Sequence, residues 1–351
     1  MFAQSNNLIT GGAFTQISQI NITEKGGFER LEHAVSPNAF YDSAGRCDPP
    51  KCHPNTRVAV LEKIMAWILG QDPETRNSLI KWLHGPAGAG KSAIAQTIAQ
   101  HCAKAGILLA SFFFFRSDST RNHARSLIAT IAYQITTCFP SFRKLVVETI
   151  DADPHIFNRT LLKQFSSLIV EPLLALIPLG MFQEPNSTRL IIIDGLDECE
   201  DRNSQLDILH TMSEIFQHHR LPLIFLVVSR PEYDITNAFG AGFLQTISSR
   251  LALDNDYQAS ADIRLFLRDQ FTNIKENHPV KTHIPSDWPN DEVLEKLVNK
   301  SSGQFIYAAT VMKYVKSTRH RPPNRLEIVL GVQPATAARD TPFSELDALY
   351  R

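Results

Sequence analysis

Gly85-Pro86-Ala87-Gly88-Ala89-Gly90-Lys91-Ser92 reads G-x-x-x-x-G-K-S without a mismatch. Its flanks decide how it folds. Leu79–Leu83, just before it, is a short apolar run that predicts a strand; Lys91–Ala103, overlapping its end, is rich in alanine and predicts a helix. A glycine-rich turn between strand and helix lets successive backbone N–H groups converge on one anion. The helix N-terminus adds the positive end of its dipole. In such a loop Lys91 reaches terminal phosphate oxygens and the Ser92 hydroxyl ligates Mg²⁺. Gly85, Pro86, Ala87, Gly88, Ala89, Gly90, Lys91 and Ser92 are therefore the candidate phosphate-binding residues. A second pattern overlaps them, because Gly88–Ala93 also reads G-x-G-x-x-A. That fingerprint wants an acid about 20 residues on, at the end of the next strand. Here the next strand ends Phe113-Phe114-Phe115-Arg116, with no acid in place.

Further along the chain, Leu190-Ile191-Ile192-Ile193 is a β-branched apolar run that ends in Asp194-Gly195-Leu196-Asp197-Glu198-Cys199. A carboxylate at such a strand tip is a candidate Mg²⁺ ligand beside Ser92. Asp197 and Glu198 follow within one turn, where either could orient or polarise an attacking water. Leu226-Val227-Val228-Ser229-Arg230 is another strand tip, and Arg230 there can aim a cation at a γ-phosphate. Ile107–Phe115 and Leu221–Val228 are further continuous apolar runs. Ala124–Thr136 carries Leu127, Ile128, Ile131 and Ile135 on one helical face. Apolar strands alternating with helices predict a parallel sheet covered on both sides, a three-layer α/β/α P-loop NTPase fold.

From residue 258 onward strand signals vanish. Ser260 is placed to cap a helix carrying Ile263, Phe266, Leu267 and Phe271, and helices are predicted over Asp291–Lys300 and Gln304–Lys316. Upstream, Val58, Leu61, Ile64, Met65 and Ile68 recur at helical spacing, and Gly70 and Asp72-Pro73 end that helix. Residues 1–55 are polar and interrupted by Gly-Gly and Pro-Pro pairs, which predicts an irregular extension with at most short elements. The chain thus divides into an extension (1–55), a P-loop domain (56–257) and a helical domain (258–351).

Composition narrows the class. The 351 residues carry 35 Lys+Arg against 36 Asp+Glu, a net charge of −1. A nucleic-acid or anionic-membrane binder would show a basic excess, so neither is expected. Five cysteines, an odd and sparse count, read as reduced thiols. No Lys or Arg precedes Lys25 and no apolar h-region follows, so a secretory leader is not expected. The apolar uncharged stretches Ala105–Phe115 and Pro172–Phe182 are shorter than the roughly 20 residues that span a bilayer. These features predict a cytoplasmic chain with no transmembrane segment.

Gly85–Ser92, Asp194-Gly195-Leu196-Asp197-Glu198 and Ser229-Arg230-Pro231-Glu232 together resemble a NACHT-type signal-transduction (STAND) P-loop NTPase. Within that class, Ser111–Ile135, Arg46–Arg57 and Gly303–Thr310 are similar to the nephrocystin-3-like N-terminal type found in fungal proteins. The resemblance implies a nucleotide-dependent switch that binds ATP or GTP with Mg²⁺, turns over slowly, and assembles protein partners or copies of itself. It implies that Lys91, Asp197, Glu198 and Arg230 serve the reaction, that Ser92 and Asp194 hold the metal, and that Arg57 approaches the base or ribose. Read alone, Arg57 is as readily a solvated residue at a helix start. Where relatives carry a proline in the helical domain, Gln304 and Phe305 follow Gly303 here. The chain also stops at Leu346-Asp347-Ala348-Leu349-Tyr350-Arg351, short of the winged helix and repeat sensor of relatives. That makes a nucleotide-binding interaction module, or a truncated regulator without meaningful hydrolysis, the alternative reading.

Three other features have plainer readings. Cys47, Cys52, His53 and His33 lack the paired spacing of a structural zinc site. Lys313, Lys316, Arg319, His320, Arg321 and Arg325 read as a helix C-terminus with a solvated tail. Phe112–Phe115 reads as a buried strand. A P-loop kinase acting on a small molecule would need a lid and an acceptor pocket that the sequence does not display.

Overall fold

The computed structural model describes residues 26–46, 49–183, 189–253 and 259–332. Five strands, β1 (Ile80–His84), β2 (Leu108–Phe113), β3 (Leu190–Asp194), β4 (Ile224–Ser229) and β5 (Ser248–Ala252), form one parallel sheet. Their order is β2-β3-β4-β1-β5, so β4 lies between β1 and β3. The carboxyl ends of β1, β3 and β4 therefore sit side by side, with His84 opposite Ser229 and Asp194 opposite Val228. The loops that leave these ends carry the three sequence motifs.

Alternation along each strand serves two cores. Ile80, Trp82, Ile191, Ile193, Phe225 and Val227 point to one side. Leu83, Leu190, Ile192, Leu226, Val228 and Leu251 point to the other. The helices, in chain order, begin with α1 (Gly27–Ala34), α2 (Val58–Ile68) and α3 (Lys91–Lys104), of which α2 and α3 cover the second side. The first side is covered by α4 (Leu127–Cys138), α5 (Pro140–Ala152), α6 (Leu161–Phe165), α7 (Glu171–Leu176), α8 (Arg202–His218), α9 (Tyr233–Phe239) and α10 (Gly242–Ile247). One π turn, Ser166–Val170, joins α6 to α7. The run Leu161–Leu179 is apolar and long enough to cross a membrane by length and composition, and half of it is buried in this protein's own core. A separate cluster of α11 (Ala259–Asn277), α12 (Asp291–Ser301), α13 (Phe305–Val315) and α14 (Pro322–Leu330) packs around Ile263, Leu267, Leu297, Val311 and Val315. The α/β fold with a parallel sheet followed by helices is as the sequence predicts.

Several local expectations need correction. The buried face of α2 is Val60, Ile64, Trp67 and Ile68, whereas Val58 is 46% exposed. Trp67 redirects that face, because its bulk and its indole N–H, bonded to Ser78 O at 2.8 Å, reward burial more than Val58 does. Ser260 lies inside α11, which already includes Ala259, and is not its cap. β5 carries no apolar run. It is an edge strand of Ser248, Ser249, Arg250, Leu251 and Ala252, held by its ladder to β1.

Residues 26–46 are not a loose extension. Leu31 and Ala39 are fully buried in the main core, and Phe28 and Phe40 each stack on Tyr133 of α4. The segment runs along the edge strand β2: Tyr41 N donates to Ser111 Oγ at 3.0 Å. Gln134 stands in for a missing neighbour strand there, its Oε1 accepting from Ser111 N (3.0 Å) and its Nε2 donating to Ser111 O (2.9 Å). Residues 1–25, Cys47, Asp48 and the C-terminal stretch Leu346–Arg351 lie outside the described residues.

Candidate nucleotide site

β1 delivers Gly85 to the sheet edge, and the loop folds back into α3. Gly90 caps α3 in the left-handed region (φ 91°). Gly88 is also left-handed (φ 75°), and its missing side chain is what lets Ile306 of α13 sit directly on the loop. Lys91 Nζ donates to the carbonyl oxygens of Gly85 (2.8 Å) and Pro86 (2.9 Å), so the lysine is drawn across the mouth of its own loop. Burial pushes its ammonium below the usual lysine range, opposed by attraction to Asp197 and Asp194.

β3 delivers Asp194, 3% exposed, with Oδ1 buried and unpartnered. Burial raises its carboxyl to about 7, against the Ser92 hydrogen bond that favours ionisation, while repulsion from Glu198 adds to the rise. Gly195 turns the chain in the left-handed region (φ 72°), where a β-carbon would press on Phe114 O. That turn brings Asp197 and Glu198 back over the site. Asp197 is 3% exposed and held by Arg230 at the tip of β4: Arg230 N donates to Oδ1 (2.9 Å), and the guanidinium forms an ion pair with Oδ2, Nε at 3.2 Å. Glu198 accepts from Arg116 N at 3.2 Å, and burial, with repulsion from Asp197, raises its carboxyl.

Ser92, Lys91, Asp194, Asp197, Glu198 and Arg230 all line one cavity of about 300 Å³. Arg57 lines it too. It is not a solvated helix start: it is 5% exposed, with Nη2 bonded to Ala89 O (3.0 Å) and its guanidinium 5.0 Å from the centre of the Phe305 ring. Its Nε and Nη1 are buried without a partner.

Sequence reasoning missed four contributors. Arg46 lies 3.9 Å from the centre of the Phe113 ring and donates to Gln96 Oε1 at 2.8 Å. Burial lowers its guanidinium to about 10, opposed by the field of Asp194. Arg116 Nη2 donates to Asp197 O (3.0 Å), and Gln205 Nε2 donates to Cys199 O (2.7 Å), so both fix the backbone of the acidic turn. His53 completes the wall, its ring edge-on to Phe266. The signals of Arg46, Arg116 and His53 were weak because each acts across a long sequence gap. Among the described residues no His/Cys/Asp/Glu cluster suits a metal, and Cys47, the other half of the considered zinc pair, lies outside them. Arg325 of the basic cluster is buried against Tyr314.

Residues 60–230 match the family model described as "Nephrocystin 3, N-terminal". This segment is similar to a nephrocystin 3 N-terminal domain. The matched stretch runs from within α2 to Arg230, and it carries the phosphate loop, the acidic turn and the strand-tip arginine. It leaves out Arg57, the segment 26–46 and the helical wall of the cavity. No curated protein matches the chain. Among solved structures, C. elegans PCH-2 aligns at 13% identity and a TM-score of 0.42, covering 79% of this chain and 68% of that one. The Aeropyrum pernix ORC1 protein, solved in complex with DNA, aligns at 15% identity and a TM-score of 0.44, covering 86% and 66%. At that level neither carries a role over to this chain, which spans about two thirds of each.

Proposed function

We propose that the chain is a nucleotide-dependent switch that binds ATP or GTP with Mg²⁺, hydrolyses it slowly, and passes its nucleotide state to protein partners or further copies in the cytoplasm. The observation that carries this reading is that one cavity is walled by both the phosphate loop and the helical domain. Ile306 N donates to Gly88 O at 3.3 Å, and Phe305 lies against Arg57. Whatever fills the cavity therefore touches both parts, and its preference for one arrangement shifts the domains by that difference in affinity.

The residues present fit the nucleotide and its metal. Asp194 Oδ1 and Arg57 Nε and Nη1 are buried without partners, an arrangement that costs free energy until a ligand satisfies it. Ser92 Oγ and Asp194 would hold Mg²⁺, which neutralises charge between the phosphates when bound. Lys91 exchanges its two loop carbonyls for phosphate oxygens. With Asp197 committed to Arg230, Glu198 is the carboxylate available to take a proton from the attacking water. Arg230 steadies the charge that gathers on the transferred phosphoryl group.

Binding of ATP, ADP and GTP with Mg²⁺ to the wild type and to Lys91→Ala tests the reading. Loss of affinity in the variant supports it, and the ranking of bases decides between ATP and GTP. Absence of binding in the wild type would sink it. Steady phosphate release then separates a switch from a binding module that does not hydrolyse.

A further inference from the structure

α11 presents Asp262, Phe266 and Asp269 at spacings of four and three, one face of a helix. That face meets the strip 52–57, the cavity wall that leads into α2. Asp269 Oδ2 lies 2.7 Å from His53 Nε2. Phe266 packs against the same imidazole, ring centres 5.4 Å apart and nearly perpendicular. Asp262 Oδ2 accepts from the backbone N–H of Arg57 at 2.9 Å, at a residue whose left-handed φ of 57° needs such support. Asp262 and Asp269 themselves are absent from the cavity lining, whereas His53, Thr56, Arg57 and Phe266 belong to it.

From this juxtaposition we infer that Asp269, acting through His53, and Asp262, acting through Arg57, are positioning residues that set how long nucleotide stays bound. The inference rests on the nucleotide-binding reading above. Its physical logic is leverage. The strip 52–57 is irregular backbone, so its place on the cavity is fixed by what it is tied to. On one side it is tied to the nucleotide domain, through Cys52 N to Thr97 Oγ1 (3.1 Å) and Arg57 Nη2 to Ala89 O (3.0 Å). On the other it is tied to α11 by the contacts just described, with Phe305 of α13 against Arg57 at its end. Releasing the α11 side frees the wall to swing from the cavity while the phosphate loop and acidic turn stay in place. The exit of the ligand accelerates, and the chemistry at the γ-phosphate does not change.

The test is the release rate of a fluorescent ADP analogue from the full chain, for wild type, His53→Ala, Asp269→Ala, the double variant and Asp269→Asn. Each single alanine is expected to speed release about tenfold, the scale of one charge-assisted hydrogen bond. The double variant should be no faster than the faster single, because the two side chains form one contact. Asp269→Asn should recover part of the wild-type rate, since its amide oxygen still accepts from the ring. Turnover at saturating nucleotide should stay within about twofold of wild type in Asp269→Ala and Asp269→Asn. Release at the wild-type rate in Asp269→Ala, or additive effects in the double variant, would overturn the inference. A wild type that holds no nucleotide would instead defeat the nucleotide reading. In that event the clasp is read by itself, from the distance between spin labels at Lys63 and Glu276: a longer or broader distribution in Asp269→Ala supports it, and an unchanged one overturns it.

Discussion

Asp197 is held twice by one residue, Arg230: its Oδ1 accepts a hydrogen bond from the backbone N–H and its Oδ2 pairs with the guanidinium. The acidic turn after β3 is thereby fastened to the tip of β4, and the cation that would meet a γ-phosphate starts out held by a carboxylate. Arg230→Ala is expected to lower turnover by roughly a hundredfold, the usual scale for removing one transition-state donor, with ADP affinity within about threefold. Asp197→Asn should also slow turnover, since the amide accepts the backbone N–H but loses the ion pair. Phosphate release alongside nucleotide titration measures both. A large loss of ADP affinity in Arg230→Ala would show that the arginine is structural.

Gly88 is the point where the helical domain rests on the phosphate loop. A β-carbon there would collide with Ile306 and would sit at a φ of 75° that disfavours alanine. Gly88→Ala is expected to cost about 1–3 kcal/mol of stability and to weaken nucleotide binding. Adding Ile306→Ala removes the collision but not the backbone strain, so the double variant should recover only part of the loss in urea denaturation.

Lys81 sits in the middle of β1, 1% exposed, its Nζ bonded to Ser249 Oγ at 3.1 Å and 5.4 Å from the centre of the Trp67 ring. Burial lowers its ammonium from the ordinary 10.5 to about 8. Below pH 8 both folded and unfolded chains carry the charge, and the full cost of burying it stands. Between pH 8 and 10.5 the folded protein sheds the proton first, the unfolded chain binds more protons, and stability rises with pH. Lys81→Met should be more stable at pH 7 by about 1–2 kcal/mol, and the difference from wild type should shrink across that window. A constant difference from pH 7 to 10.5 would contradict the assignment.

The segment 26–46 should be indispensable to the sheet. Leu31→Ala removes a fully buried side chain and should cost about 2–5 kcal/mol. A chain starting at residue 56 would expose the edge of β2 and the apolar faces of α4 and α5, and is expected to be insoluble. A soluble, cooperatively melting fragment from residue 56 would show that the segment is dispensable.

What the sequence disclosed follows from how local each signal is. β1, β3 and β4 announce themselves because strands covered on both faces are apolar throughout, and the phosphate loop because its chemistry occupies consecutive residues. β5 gave no such signal, since an edge strand needs only its ladder. The face of α2 was misjudged because helical spacing alone ranks Val58 with Trp67. Arg57 could be placed only once Ala89, Asp262 and Phe305 were known to surround it. Arg46, 148 positions before Asp194, lay within a stretch of family resemblance, and nothing local in the sequence tied it to that carboxylate.

The strand order has a consequence for biosynthesis. β1 pairs on one side with β4, Ile80 opposite Phe225, and on the other with β5, Ile80 opposite Ser248. When the ribosome has finished the phosphate loop, neither neighbour of its strand has yet been made. The loop must wait, unsupported, for well over a hundred further residues, and pairings so distant along the chain form slowly. A nucleotide that bound only the finished loop would draw the last step of folding forward by mass action. The ligand proposed to set the mature protein's state would then act first as its template.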